Sequence, residues 1–158
     1  MLKITQYLAD NQQPADDYIT LAFEQRQKGR FKAVSDQGIE VGVFLERGQV
    51  LAQDDRLQAE DGRVFAVVAQ PESVVTAYAD DWPSFARACY HLGNRHVTLQ
   101  LGDCWLRFQP DHVLEHLAEH LGLRLEVGAA PFHPEAGAYH GQHNHDSHDS
   151  HESGHHEH

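Results

Sequence analysis

The chain of 158 residues is poor in cysteine, in positive charge and in long apolar runs, and each shortage removes a class of function. Its two cysteines, Cys89 and Cys104, are too few and too far apart for a Cys-x-x-Cys zinc or redox motif or for a disulfide framework, so both read as buried or half-buried thiols. Twelve Lys and Arg stand against 24 Asp and Glu, a formal charge of −12, which argues against nucleic acid or a membrane surface as partner. No run approaches the roughly 18 apolar residues of a membrane-crossing helix. The opening MLKITQYLADNQQPADD lacks the apolar core of a signal peptide, so the expected location is the cytoplasm. A Gly-rich phosphate loop, a G-x-S-x-G elbow and a dinucleotide fingerprint are also missing, so a second protein would have to supply any GTP or ATP chemistry.

With 41% hydrophobic residues the chain can bury a core, and its length allows one ordinary domain or two small ones. The pattern favours an α+β chain in three parts. Residues 1–70 read as a small all-β domain: short runs such as LKITQYL, YITLAF, FKAV and IEVGVFL are broken by turn signals, and Asp61-Gly62 marks a hairpin. Alternation of Ile39, Val41 and Val43 against Glu40 and Gly42 turns one side of that strand toward a core.

Residues 71–138 change character. SVVTAYA reads as a strand and DWPSFARACYHLG as a helix, with Asp81 as N-cap, Pro83 in the first turn and Gly93 as a left-handed stop. HVTLQL and CWLRF follow, joined by the two-residue connection Gly102-Asp103. A second helix, DHVLEHLAEHLG, places Val113, Leu114, Leu117 and Leu121 on an apolar stripe with Gly122 as its stop, and LRLEV returns as a strand. The order strand, helix, strand, strand, helix, strand predicts a ferredoxin-like βαββαβ domain, with both helices on one face of an antiparallel sheet. That fold hosts many functions and decides none. Residues 139–158 contain no large apolar residue beyond Tyr139 and no Lys or Arg, and are expected to form a disordered tail.

What is abundant is histidine: eight of the fourteen, His140, His143, His145, His148, His151, His155, His156 and His158, fall in the last nineteen residues. Imidazoles mixed with Asp and Glu suit Ni²⁺, and also Zn²⁺, Cu²⁺ or Co²⁺. A purification tag would be an unbroken histidine run, whereas Asn, Asp, Ser, Glu and Gly interrupt this one. Nothing rigid fixes a coordination number on such a chain, so alone it reads as a collector of metal. His96, between a helix stop and a strand, is a better-placed ligand, and a two-fold dimer axis nearby would bring it to its mate. A surface or hydrogen-bonded histidine is the alternative at that position. His91 near a helix end fits a favourable interaction with the helix dipole. His112, His116 and His120 recur at i, i+4, i+8, either as a two-histidine clip or as a solvated stripe. Within them HLAEH matches the H-x-x-E-H zinc-peptidase pattern, although such an enzyme needs a third ligand and a cleft.

At ACYHLGNRHVTLQ, DHVL, APFHPEAGAYH and the His-rich end, which together span much of residues 87–158, the chain resembles the urease accessory protein UreE family. The resemblance implies a non-enzymatic, cytoplasmic nickel metallochaperone. It would act as a homodimer that carries Ni²⁺ to the complex of urease apoprotein with its accessory proteins, including an accessory GTPase. It further implies an N-terminal β domain that binds peptide or unfolded protein. His96 of GNRHV matches the family's nickel ligand at the dimer interface. His112 of DHVL matches a peripheral metal site whose partner histidine commonly lies two positions earlier, where this chain has Pro110; Asp111, His116 or a tail residue could rebuild it. Thr98 stands where the family has proline, and His133 where glutamate is usual. A nickel or zinc buffer that delivers to no enzyme is the competing function.

Overall fold

A computed structural model of the chain describes residues 1–136. The expected disordered tail and its histidines, His140, His143, His145, His148, His151, His155, His156 and His158, lie outside the described residues. Seven elements build the first unit: β1 (Leu2–Leu8), β2 (Asp17–Leu21), α1 (Phe23–Arg26), β3 (Arg30–Val34), β4 (Glu40–Phe44), β5 (Arg56–Ala59) and β6 (Val64–Ala69). Their strands form one sheet in the order β2-β6-β5-β1-β4-β3, with β1/β4 and β2/β6 parallel. Ile4, Ile19, Val41, Val43, Leu57 and Phe65 fill its core. The Asp61-Gly62 turn joins β5 to β6 as expected, with Gly62 at φ +91.

Two readings of this unit need correction. It is β-rich but not all-β, because the single turn α1 is inserted after β2. The alternation in β4 is also incomplete, since Gly42 is buried along with Val41 and Val43. A Cβ on Gly42 would lie 3.0 Å from Met1 Cε and Phe44 Cε2, so the missing side chain makes room for these two to fold over the strand.

The second unit contains β7 (Pro71–Tyr78), α2 (Trp82–Gly93), β8 (Gln100–Leu101), β9 (Trp105–Phe108), α3 (His112–His120) and β10 (Arg124–Pro131). Its sheet runs β10-β7-β9-β8 with every neighbouring pair antiparallel. Val75, Ala77, Leu106 and Phe108 of the sheet share one buried cluster with Phe85, Ala88 and Leu92 of α2 and Leu114 and Ala118 of α3, so both helices cover the same face. The caps explain where the helices begin. Asp81 Oδ1 accepts from Ser84 N at 2.8 Å, which holds its carboxyl below the usual range, and Asp111 Oδ1 accepts from Val113 N at 2.9 Å and Leu114 N at 3.1 Å. Gly122, at φ +88, ends α3 as expected.

Three local expectations fail here. Val113 is 54% exposed, because the buried side of α3 is centred on Leu114 and Ala118, with Leu117 and Leu121 at its margin. The run HVTLQL yields only the short β8. The β8–β9 connection has three residues, since Cys104 adopts φ 58 and Gly102 N bonds to Trp105 O at 2.8 Å. Gly102 is required there: a Cβ would fall 1.9 Å from the Trp105 indole. Among the described residues no helix is long and apolar enough to cross a membrane.

The two units are joined through α1. Phe23 packs edge-on against Phe132, with centroids 5.4 Å apart, and Val74 completes this small cluster. Arg26, 1% exposed, donates from Nε to Leu21 O and from Nη1 to Leu51 O, each at 3.3 Å, and from Nη2 to Phe132 O. Burial pulls its pKa down and nearby Glu72 pulls it up. Replacing Arg26 with Met removes three donors and leaves their carbonyl partners buried. Urea unfolding should then show a loss of about 2–4 kcal/mol. An unchanged midpoint would mean that the guanidinium is not what joins the units.

Candidate metal centre

The site is built on the last turn of α2. Gly93 is not the left-handed stop: the chain continues in right-handed geometry through Asn94, and Arg95 N and His96 N bond back to Leu92 O and Gly93 O, each at 3.1 Å. The left-handed residue is His96 itself, at φ 53. A non-glycine residue in that region costs on the order of 1 kcal/mol and persists only where its surroundings impose it. Here Leu92 on one side is fully buried and Leu99 on the other is 9% exposed, so both flanks are fixed in the core. The imidazole between them is solvent-exposed. This combination of a fixed backbone and an open side chain suits a ligand that must exchange its ion.

Two hollows meet at His96. One, of 320 Å³, is shared with Thr98, Pro110, Asp111 and Leu114 at the start of α3. The other, of 500 Å³, is shared with Cys89, Leu99, Leu101, Glu135 and Ala136. The second exists because the chain after β10 turns back along β8, where His133 N donates to Gln100 Oε1 at 3.0 Å and Glu135 N to Leu99 O at 2.7 Å. The segment leading to the His-rich residues therefore passes the His96 hollow.

The remaining candidates are more scattered. His112 opens α3 and is exposed, close in sequence to the Pro110 and Asp111 that share a hollow with His96. The Asp111 carboxylate is already engaged as the cap. His116 and His120 are exposed along the same helix, and His91 lies in the last turn of α2. Among the described residues no three His, Cys, Asp or Glu side chains converge as a metal site. Both cysteines are free and half-buried, as expected. Burial pushes the Cys89 thiol up, which keeps it protonated and a poor ligand. Glu135 was missed from sequence, since nothing in local periodicity links it to a loop some forty residues earlier.

Two outcomes follow. His96→Gly should be more stable than His96→Ala by about 1 kcal/mol in urea unfolding, because glycine accepts the left-handed geometry and alanine does not; equal stabilities would mean that the strain is not real. The His133 imidazole is held below its ordinary 6.5 by desolvation, then by Arg26 and Arg107. As pH falls, the unfolded chain binds this proton first, so the stability present above 6.5 is lost as pH drops toward the lower folded value. A His133→Gln chain should therefore lose less stability than the unaltered chain between pH 7.5 and 5.5, and parallel losses would contradict the assignment.

The description "UreE urease accessory protein, N-terminal domain" matches residues 3–70, and "UreE urease accessory protein, C-terminal domain" matches residues 72–158. The chain is 53% identical to the urease accessory protein UreE of Alteromonas mediterranea over 124 residues, 78% of this chain and 80% of that one. It is 47% identical to that of Psychromonas ingrahamii over 139 residues, covering 88% and 91%. With the protein of Alkalilimnicola ehrlichii it shares 51% over 141 residues, covering 89% and 86%. The zinc-peptidase reading falls with these matches, for the chain belongs to the UreE urease accessory protein family, a family of accessory chaperones and not of enzymes.

Proposed function

We propose that, within the role in urease maturation that its family carries, this chain is a nickel metallochaperone that delivers Ni²⁺ to apo-urease. The observation that carries the reading is His96: an exposed imidazole on a fixed backbone, beside the segment that leads into a stretch holding eight histidines. In this scheme the His-rich residues 139–158 gather the ion, and His96 with its two-fold mate holds it. Docking on the urease apoprotein complex and its GTPase then offers better ligands. Exposed exchangeable donors suit a carrier, whereas a closed four-ligand cage would suit storage.

Several finer assignments belong to the same proposal. Residues 71–138 form a ferredoxin-like metal-binding domain, which the split strand order β10-β7-β9-β8 and the shared helix face support. Residues 1–70 grip a peptide or an unfolded segment of a partner. A homodimer is favoured by the exposed apolar residues Tyr90, Leu101 and Val113 on the elements around His96. His112, adjacent in sequence to the Asp111 that lines the neighbouring hollow, acts as a peripheral ligand. The working place is the cytoplasm, and Zn²⁺, Cu²⁺ or Co²⁺ compete for the same imidazoles.

Calorimetric Ni²⁺ titration of the full chain, a chain ending at Tyr139 and a His96→Ala chain tests the scheme. One tight ion per dimer should survive truncation and vanish in His96→Ala. Loss of all binding on truncation would instead describe a tail-based metal buffer. Affinity should also fall as pH drops from 8 to 6, because protons compete with the ion for the imidazole nitrogens. Binding that is independent of pH over that range would exclude histidine ligation.

A further inference from the structure

We propose that Glu135 is a second ligand of the His96 centre, adding a carboxylate oxygen from the segment that leads into the His-rich end. The inference rests on the His96 reading above and extends it to the donor set.

Two carboxylates border the hollows that meet at His96, Asp111 on one side and Glu135 on the other. They are not equivalent. Asp111 is committed to capping α3, where one of its oxygens accepts from both Val113 N and Leu114 N. Rotating it toward an ion would uncap the helix, at a cost of about 1 kcal/mol. The Glu135 carboxylate makes no hydrogen bond and no ion pair among the described residues, and it is exposed.

Its backbone is nevertheless held. Glu135 N donates to Leu99 O at 2.7 Å, only three residues beyond His96, and Leu99 itself is anchored in the core. Upstream, His133 N is bonded to Gln100 Oε1 and Phe132 is fully buried. The segment thus offers a fixed main chain with an uncommitted anionic side chain, bordering the same hollow as an imidazole of the same character.

The chemistry agrees with the placement. A single histidine, or a symmetric pair, leaves most of the coordination sphere of a divalent ion to water. A carboxylate completes a mixed nitrogen and oxygen set of the kind that suits Ni²⁺, and its charge offsets part of the ion's own. The other donor bordering this hollow, the half-buried sulfur of Cys89, would favour softer ions.

Glu135→Gln tests this in the full chain, since it keeps the shape and the main-chain bond to Leu99 while removing the charge. The probes are Ni²⁺ alone by calorimetry and Co²⁺ alone by its visible ligand-field spectrum, with His96→Ala titrated in parallel. The tightest Ni²⁺ phase should weaken about tenfold in Glu135→Gln with unchanged stoichiometry, an effect in the range seen for groups that tune metal sites. The Co²⁺ spectrum should shift, and the unfolding midpoint should stay where it is. The inference is overturned if Glu135→Gln titrates like the unaltered chain while His96→Ala loses the tight phase. It is equally overturned if affinity and unfolding midpoint fall together, since the effect would then be structural. If His96→Ala keeps the tight phase, the His96 reading falls first and takes this one with it.

Discussion

Arg26 carries a positive charge into the junction between the two units, with no carboxylate in ion-pair range among the described residues, and is satisfied by the main-chain oxygens of Leu21, Leu51 and Phe132. A buried charge whose hydrogen bonds all go to carbonyls tolerates little displacement, because each lost acceptor leaves a donor desolvated. The third acceptor is the important one. By fixing Phe132, Arg26 determines where the chain goes after β10, and the bonds from His133 and Glu135 to β8 and its approach follow from that course. The N-terminal unit is therefore part of the proposed metal site without contributing a ligand, since it sets the exit of the segment that borders His96.

Strain and exposure at His96 have a common origin. The α2 helix ends without using Gly93 as a left-handed stop, so the reversal of the chain is deferred to the histidine, and Leu92 and Leu99 hold both flanks while it occurs. A relaxed surface histidine would lose rotamer and backbone freedom on binding an ion. Here the backbone share of that cost is met during folding, by core burial elsewhere in the unit. The same geometry leaves the imidazole open to water and to an incoming partner.

Much of this was legible in the sequence because it depends on local chemistry. Asp81 and Gly122 were readable as helix signals, Asp61-Gly62 as a hairpin, and the alternation of strands and helices as an α+β second unit. His96 stood out by its position between fixed elements, and family resemblance sharpened it. What escaped depends on distant contacts. The turn α1 is four residues long, too short to show a period, and its reason to exist is a pair of contacts with Phe132. Val113 has the spacing of a core residue but lies just off the side that Leu114 and Ala118 bury. The shift of left-handed geometry from Gly93 to His96 inverts the usual residue preference, which is expected where function and local propensity conflict.

A carrier must hold its ion against loss to water and still surrender it to an acceptor, and these demands oppose each other in any single rigid cage. In the proposed function the arrangement around His96 separates them. On this proposal, selectivity would come from donors fixed by the core and by the bonds at Leu99 and Gln100, and lability from their exposure at the junction of two open hollows. The proposed Glu135 carboxylate, on the rim of the same hollow, would strengthen the hold without closing the site, because a monodentate oxygen on an exposed side chain can swing away when a partner's ligands arrive. The same proposal also divides gathering and holding along the chain. On the proposed reading, many weak histidines would raise the local ion concentration and a few fixed donors would decide which ion remains, so affinity need not be high at any one place for transfer to have a direction.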